Sequence, residues 1–531
     1  MSTIVSSSAH SATAGFGRHL PLILALALAT GTEAFTTSAV GIALPRIAGD
    51  FAASPDEISW AVTLYLAAFT VFLPLTAWRA DILGQRRFLG ASIVVYLVAS
   101  LGCMLSPSLP VFLAWRVVQG AAGATFLARA VFTFTKEFRP PVLFNVFFIF
   151  MAAFSLRALG LPLGGYLVDH LSWRWLFAVP AVVLAGGALP ALLASEEVWP
   201  AQRERRPDFS GLALLTAGLG ALTILAVRGE RDDWFASPAI LALLGFAIVA
   251  LPVFAWEQHR AGNRHPLITF ASLRRSGMGV GMTLSFLAGL MLVGGVYVLP
   301  QFLERVTGTD AYRAGWLMSI DAFAMIAGLA SAVMTIRRVR TRGLLAVSGL
   351  AFAGSMLLLA FRITSATPVE ALWLPLALHG FGVGLALPPI GIFSFGAIGA
   401  DHRLNGEGRA WHYTARQLGA TVAVATAVGL IDTRATVHSS ALAANFTVEN
   451  PLVRGTAAAI AHGLAAHGVT PALSLPAARA VLDHLLVRES TVLAFHDLFL
   501  ATALVGIAVA LLGFALPKPG AARQPVPVRP R

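Results

Sequence analysis

Residues 155–177 read SLRALGLPLGGYLVDHLSWRWLF, joining an apolar segment that carries glycines and an arginine to a short aromatic and basic turn. Arg157, Gly160 and Gly164 stand at i, i+3 and i+7, so one helical stripe presents a guanidinium and bare backbone. Small residues four apart let helix backbones approach where lipid provides no hydrophobic drive. This stripe fits either plain helix packing or a polar task inside a bundle. The Trp-Arg-Trp sequence at 173–175 is typical of an interfacial anchor between two membrane spans.

The composition indicates a polytopic membrane protein. Hydrophobic residues make up 57% of the 531 residues and charged residues only 12%, against about 25% charged in soluble proteins. The net charge of +12 does not indicate a nucleic-acid partner, because the arginines cluster between apolar runs, as the positive-inside rule predicts. We therefore expect membrane lipid, and no nucleic acid, around the chain. The single cysteine, Cys103, excludes an internal disulfide and a cysteine-based metal cluster.

Apolar runs of spanning length number about fourteen. The predicted fold is an all-α membrane protein of two six-helix bundles with two inserted spans. The runs cover residues 20–44, 57–78, 88–107, 110–133, 143–168, 174–194, 211–228, 237–256, 278–301, 314–335, 344–361, 371–396, 410–431 and 494–516.

Two segments interrupt this series of runs. A charged connector over residues 195–208 follows the sixth run and marks a boundary between helical halves. Residues 433–492 are predicted to form a long outward loop, with a short surface helix over residues 477–486. The predicted parts are an N-terminal bundle over 1–194, the connector and two inserted spans over 195–258, and a C-terminal bundle over 259–531.

The loop between the second and third runs combines a carboxylate with basic residues in a tight turn that Gly84 makes possible. Opening and closing of the cytoplasmic face would then make or break a contact of Asp81 with a helix end or a basic residue. A plain topogenic loop is the alternative reading. The predicted gating residues are Asp81, Gly84, Arg86 and Arg87.

Charged residues within the runs are candidates for function, because charges in hydrocarbon are costly and usually face a bundle interior. In the fourth run, Arg116, Gln119 and Gly120 share one helix face. In the first run, Glu33 lies near mid-depth, where a carboxylate is a common site of proton coupling. Its alternative role is that of a structural partner for an arginine such as Arg116 or Arg157.

The second half of the chain carries two further candidates. Asp321 lies in the tenth run and His379 in the twelfth. We predict Glu33 and Asp321 as proton-coupling residues, and Arg116, Gln119, Arg157 and His379 as residues of a substrate cavity. A hydrogen-bonded core histidine is the alternative reading of His379.

These residues resemble the major facilitator superfamily, and specifically its fourteen-helix branch of drug:proton antiporters, which includes multidrug exporters. The likeness runs over nearly the whole chain, in the family's order and spacing. It is carried by residues 33–45 in the first helix, Trp60 and Tyr65 in the second, Asp81, Gly84, Arg86 and Arg87 in the loop, Arg116, Gln119 and Gly120 in the fourth helix, Gly160, Gly164 and Gly165 in the fifth, residues 173–177 after it, and residues 416–419 in the second half.

The resemblance implies proton-driven export of small amphipathic compounds across a bacterial plasma (inner) membrane. It implies no cofactor besides the proton gradient and permits a periplasmic adaptor protein as a partner. The sequence departs from the family where the usual first-helix aspartate is Thr36, which leaves Glu33 as that helix's acid. In the fifth helix, the family's two prolines fall at Arg157 and Leu161. Arg157 is therefore an addition, and we expect it to select the charge of the substrate.

The sequence leaves three alternatives to drug export. An organic-anion carrier is the alternative within transport, because arginines in the first bundle attract negative charge. A sensor that kept the fold without transporting is another. A polytopic membrane enzyme is disfavoured, because the sequence carries no His, Asp and Glu cluster with catalytic or metal-binding spacing.

The excess of arginine in alternate loops predicts that both termini and the loop holding Arg86 and Arg87 are cytoplasmic. The segment 433–492 is then outside. A cysteine placed at Ser439 should react with an impermeant thiol reagent in intact cells, and a cysteine placed at Arg87 only after permeabilisation. Labelling at Ser439 only after permeabilisation would reverse this topology.

Overall fold

The computed structural model describes residues 2–138, 146, 149, 156–196, 208–229, 231–260, 266–267, 270–274, 277–293, 298–309, 311–336, 338–396, 402–444, 446–447 and 449–516. Most of the predicted connector, 197–207, lies outside the described residues, as does Ser155. Asp81 and Arg157 have described helical backbone, but their side chains lie outside the described part.

Every regular element in the described residues is helical, as expected for a chain that must satisfy its backbone hydrogen bonds inside lipid. The first half contains α1 Ser2–Asp50, α2 Pro55–Phe72, α3 Leu75–Leu83, α4 Gln85–Met104, α5 Leu109–Glu137, α6 Leu156–His170, α7 Trp175–Val183 and α8 Leu189–Ala194. The π-helical turn Leu184–Ala188 joins α7 to α8. We call α1–α8 the N-terminal bundle.

Two helices follow the N-terminal bundle, α9 Phe209–Arg228 and α10 Pro238–His259. The remaining helices, called the C-terminal bundle, are α11 Met278–Val293, α12 Leu299–Phe302, α13 Ala311–Thr335, α14 Thr341–Arg362, α15 Trp373–Gly396, α16 His402–Ala443, α17 Pro451–Ala466 and α18 Pro471–Ala515. Short 3-10 turns lie at Trp234–Ala236 and Val369–Leu372, and a π-helical turn at Leu303–Thr307.

Eleven of the described helices are long and apolar enough to cross a membrane. Two shorter apolar helices, Glu57–Phe72 and Met278–Leu292, occupy the predicted runs 57–78 and 278–301. The described residues of the predicted run 143–168 lie mainly in α6. The all-helical, multi-pass fold is therefore confirmed, and the count of fourteen spans stays a prediction.

The segment 433–492 is mostly helical, so the expectation of a long loop was wrong in its local structure. α16 continues to Ala443, α17 follows, and the predicted short helix at 477–486 is the first part of the 45-residue helix α18. The segment is rich in alanine, the residue with the highest helix propensity, and the Asn450 side chain caps α17 by accepting from the Leu452 amide. Polar residues interrupt the segment, so its helices do not form apolar runs of spanning length.

Glycines bring α13 and α15 into close contact in the C-terminal bundle. A Cβ added at Gly380 would overlap the backbone oxygen of Asp321, and one at Gly384 would overlap that of Met325. Small residues at this spacing let helix backbones approach in lipid. The packing places Asp321 beside the turn of α15 that carries His379.

The glycine stripe of residues 155–177 packs against α1. A Cβ added at Gly160 would lie 3.0 Å from the oxygen of Phe35, and one at Gly164 would lie 2.9 Å from the Cβ of Ala39. Gly165 is buried next to it. This face of α6 therefore packs against α1 at Phe35 and Ala39, just after Glu33 in the chain.

The aromatic and basic turn after α6 fastens the end of α1. Trp173 Nε1 donates to Asp50 Oδ2 at 2.8 Å, and Arg174 Nη1 donates to the same oxygen at 2.9 Å. These bonds, chiefly the one from Trp173, hold the pKa of Asp50 below its usual range. The Trp173 ring is buried against Phe51 and Phe112.

The two bundles touch at two levels. A Cβ added at Gly315 of α13 would lie 2.6 Å from the nitrogen of Pro162 in α6. Near the C-terminal end of α5, the backbone oxygen of Val131 accepts a hydrogen bond from Arg409 of α16 at 3.4 Å. By the predicted topology, the first contact lies toward the outside and the second toward the cytoplasm.

Glycine packing between α13 and α15 predicts the outcome of adding one methyl group. Gly384→Ala should destabilise the protein by about 1–3 kcal/mol, because the new Cβ forces the two backbones apart. Gly354→Ala is the matched control, since a Cβ there meets nothing within 4 Å and alanine favours the helix. Thermal unfolding of the purified protein in detergent measures both. Equal melting temperatures for the two variants would contradict the prediction.

Candidate functional site

Glu33 lies half-buried in the N-terminal bundle, where hydroxyl groups converge on its carboxylate. Tyr65 of α2 donates to Glu33 Oε1 at 2.8 Å, and the Thr37 hydroxyl lies 2.8 Å from the same oxygen. Thr37 is one helical turn beyond Glu33 on α1, whereas Tyr65 comes from the neighbouring helix. Both groups stabilise an ionised carboxylate, since each can donate a hydrogen bond to it.

The Tyr65 ring also carries a buried cation. The guanidinium carbon of Arg116 lies 4.2 Å from the centre of the ring. Arg116 Nε donates to the backbone oxygen of Ala61 at 3.2 Å, and Nη1 donates to Gln119 Oε1 at 2.5 Å. Arg116 is only 2% exposed. Its charge is thus accommodated by a carbonyl dipole, an amide and an aromatic face.

The α5 stripe extends this cluster to a fourth helix. Gln119 Nε2 donates to Ser100 Oγ of α4 at 2.9 Å. A Cβ at Gly120 would overlap the backbone oxygen of Tyr65, and one at Gly123 would lie 3.2 Å from Glu33 Cγ. A polar chain from Glu33 through Tyr65, Arg116 and Gln119 to Ser100 therefore connects α1, α2, α5 and α4.

The structure brings Glu33, Arg116, Gln119 and Gly120 together, as the sequence placed them within one bundle. Arg116 and Gln119 are 2% and 0% exposed and bond to Ala61 of α2 and Ser100 of α4. Their place in a substrate cavity stays a prediction. Tyr65 contacts both Glu33 and Arg116, and the sequence did not predict this role. Tyr65 belongs to the second-helix pattern of the family resemblance, but no spacing along the chain relates it to Glu33.

The second cluster lies in the C-terminal bundle. His379 Nδ1 of α15 is 2.6 Å from Asp321 Oδ1 of α13, and Nε2 is 3.2 Å from the backbone oxygen of Met291 in α11. His379 and Asp321 are 2% and 7% exposed. Both line a small cavity of about 10 Å³. The two residues, predicted from separate runs, are therefore direct partners.

Arg416 approaches the N-terminal cluster from the other bundle. Its guanidinium carbon lies 4.8 Å from the Tyr413 ring centre, and its charge interacts with that of Glu33. Its backbone is fixed by close packing, since a Cβ at Gly289 would overlap the oxygen of Arg416, and one at Gly419 that of Phe286. The sequence motif at 416–419 thus packs α16 against α11 and turns a cation toward the first bundle.

The predicted gating residues lie at the end of α3, at the turn formed by Gly84 and at the start of α4. Gly84 has a φ of +81°, a conformation that side chains other than glycine rarely adopt. Arg86 donates to the backbone oxygen of Leu193 at the end of α8, while Arg87 is exposed. With the Asp81 side chain outside the described part, the gating role stays a prediction.

Each of the two clusters contains a carboxyl group that is chemically able to bind a proton. Glu33 and Asp321 are each held inside a helical bundle by groups that can exchange hydrogen bonds with a carboxyl or a carboxylate. Among the described residues, no group of three or more His, Cys, Asp or Glu could hold a metal ion. Ionisable residues within spanning helices usually mark ion or substrate pathways.

A multi-pass helical protein with buried ionisable clusters in two packed bundles has the architecture of a secondary transporter. Residues 26–424 match the Major Facilitator Superfamily, and the chain belongs to that family.

Curated relatives confirm the resemblance to the drug-exporter branch. The chain is 29% identical over 321 residues to the multidrug export protein EmrB of Escherichia coli strain K12, a match that covers 59% of each chain. It is 25% identical over 441 residues to the probable multidrug resistance protein EmrY of the same strain, covering 81% of this chain and 83% of EmrY.

Solved structures share the fold at low sequence identity. The proton:xylose symporter XylE bound to 6-bromo-6-deoxy-D-glucose superposes with a TM-score of 0.60 at 13% identity, over 94% of this chain and 96% of XylE. At this level of identity, the likeness shows the fold alone.

The contacts of Arg116 predict that its shape matters beyond its charge. Arg116→Lys keeps the cation but loses the planar fork that reaches Ala61, Gln119 and the Tyr65 face together. Stability should fall by about 1–3 kcal/mol, because buried acceptors are left unsatisfied. Arg174→Lys is the control, since Arg174 is partly exposed and a lysine can still pair with Asp50. Thermal unfolding measures both, and an unchanged melting temperature for Arg116→Lys would contradict this view of Arg116.

Proposed function

We propose that this protein is a proton-coupled exporter of small amphipathic compounds. The observation that carries the proposal is the half-buried Glu33, held by Tyr65 and Thr37 inside the N-terminal bundle. The relatives named as multidrug export proteins support the substrate class. The coverage of EmrB is 59% of its length, so the activity is proposed here from the geometry together with that likeness.

The proposed coupling works through the charge of Glu33. The ionised carboxylate accepts hydrogen bonds from its hydroxyl partners and attracts Arg416 from the C-terminal bundle. Protonation removes that attraction and turns the carboxyl into a donor. A proton therefore biases how the two bundles meet, which is the kind of two-state element that alternating access requires.

Substrate binding would use the same change of charge. A cationic or polar amphipathic compound interacts favourably with ionised Glu33 and less favourably with the protonated acid. Arrival of the proton from outside would then weaken substrate binding and favour release. Proton and substrate compete for one carboxylate, so each cycle exchanges one for the other.

The remaining roles follow the family resemblance. We propose gating at Asp81, Gly84, Arg86 and Arg87, and selection of substrate charge at Arg157. The proposed setting is a bacterial plasma membrane with both termini cytoplasmic, and a periplasmic adaptor is a candidate partner. The proposed parts are the two bundles of 1–194 and 259–531, with the connector and inserted pair of 195–258 between them.

Glu33→Gln tests the coupling directly, because it keeps the size of the side chain and removes its titration. Uptake driven by a pH gradient into inverted vesicles should be abolished, while gradient-free exchange of substrate and expression remain. Glu57→Gln is the control acid, since Glu57 lies exposed at the start of α2, where a glutamine also completes the capping box. Undiminished gradient-driven uptake by Glu33→Gln would refute the proposal.

A further inference from the structure

We propose that Asp321 and His379 act as one unit that binds a second transport-linked proton, in the C-terminal bundle and apart from Glu33. This inference rests on the proposed proton-coupled export and adds a second site to it. It replaces the separate roles predicted from the sequence, in which Asp321 served coupling and His379 the substrate cavity.

The geometry of the ring fixes the number of protons in the pair. His379 Nε2 lies 3.2 Å from the backbone oxygen of Met291, and since a carbonyl oxygen can only accept, a hydrogen bond between them requires a proton on Nε2. His379 Nδ1 faces Asp321 Oδ1 at 2.6 Å, and a second proton lies between them on one atom or the other. The arrangement holds two protons with no net charge, whichever partner carries the second one.

Loss of the shared proton breaks this arrangement. If the remaining proton stays on Nε2, the lone pair of Nδ1 faces the Asp321 carboxylate. If it moves to Nδ1, the lone pair of Nε2 faces the oxygen of Met291. Two acceptors then oppose each other in a buried site, where such a conflict is strongly unfavourable. Deprotonation should therefore shift His379 away from one of its partners.

That shift changes contacts among three helices, because Met291 belongs to α11, Asp321 to α13 and His379 to α15. The Phe352 ring of α14 packs 5.2 Å from the His379 ring centre. Close packing at Gly380 and Gly384 leaves α13 and α15 little room to absorb a movement between them. The protonation state of the pair is thereby linked to how the helices of the C-terminal bundle pack.

Among the described side chains, few other charges lie near the pair. On α6, which packs on α13 at Gly315, Asp169 and His170 lie seven and eight residues beyond Pro162, and the side chain of Arg157 lies outside the described part. Neither α11 nor α15 carries another titratable residue besides His379. On α13, Tyr312 and Arg313 lie eight or nine residues before Asp321, about 12 Å or more along the axis. On α14, Arg342 and Arg362 lie ten residues to either side of Phe352, about 15 Å away along the axis.

Several charged residues of α16 and α18 have described partners away from the pair. The backbone of Arg416 packs against Gly289, which lies two residues before Met291 in α11. Its charge interacts with Tyr413 and Glu33, and His412 is bonded to Ser285 and Ser394. On α18, His496 bonds the oxygen of Ile363, and Asp497 pairs with Arg434 and His438.

A small cavity lies beside the pair. Its wall includes both members of the pair, and its volume of about 10 Å³ approaches the size of one water molecule. The rest of its lining is apolar or glycine: Leu292, Ala322, Met325, Gly380 and Val383. A proton that enters this cavity meets the pair and no other titratable group of the lining.

Two variants separate proton binding from folding. In Asp321→Asn, the amide can donate to Nδ1 while Nε2 still donates to Met291, so the hydrogen bonds persist without the titrating proton. His379→Gln likewise keeps a polar side chain that can donate and accept. Asp497→Asn is the matched control, because it removes the acid of another His–Asp pair. That pair is partly exposed and joins Asp497 of α18 to His438 near the C-terminal end of α16.

Proton uptake by substrate-free protein in lipid nanodiscs, followed with a pH indicator after an acid jump, tests the pair without transport. Asp321→Asn and His379→Gln should each lose about one proton of uptake per protein, because the two side chains share one exchangeable proton. Unchanged uptake in both variants would overturn the inference, while leaving Glu33 and the proposed function intact.

The proton-to-substrate ratio, taken from reversal potentials in proteoliposomes, supplies the second measurement. It should fall by one proton in Asp321→Asn and stay unchanged in Asp497→Asn. A ratio that is unchanged in both would overturn the link to transport. Absence of transport by the unmodified protein would instead refute the proposed function, and the uptake measurement would still decide whether the pair binds a proton.

Discussion

A charge buried among membrane helices must be met by a dipole, a hydrogen bond or an opposite charge, and this constraint organises the protein. Lipid offers no such partner, so each charge must find one in the folded chain. Arg116 finds the Ala61 carbonyl, the Gln119 amide and the Tyr65 ring. Asp321 finds His379. The positions of these partners decide which helices must be neighbours.

Glycine makes those meetings geometrically feasible. Gly120 lets α5 lie against the backbone of Tyr65, and Gly380 lets α15 lie against that of Asp321. In both bundles, a glycine contact therefore stands within one turn of a buried charge. Larger residues would separate the helices and leave the ionisable groups without partners, so packing and charge placement depend on each other.

The two clusters differ in how their charge can act. Glu33 accepts from hydroxyl groups and interacts with Arg416 of the opposite bundle, so in the proposed coupling its protonation would act on the contact between bundles. The Asp321–His379 pair bonds only to the backbone of its own bundle through Met291 among its described hydrogen bonds. Its protonation acts on packing within the C-terminal bundle. Under the two proposals, proton binding would be linked to rearrangement within the C-terminal bundle and between the bundles.

The sequence by itself determined the membrane class, the approximate positions of the spans and the identity of the buried acids, because hydrophobic length and isolated charges are local properties. It also placed Arg116, Gln119 and Gly120 on one helix face, since helical periodicity fixes that relation. The partnership of Asp321 with His379 and the contacts of Tyr65 with Glu33 and Arg116 emerged only in the tertiary structure, because they join helices that are far apart in the chain. Of the helices within 433–492, the sequence predicted only the part over 477–486, because alanine-rich helices outside the spans do not form long apolar runs.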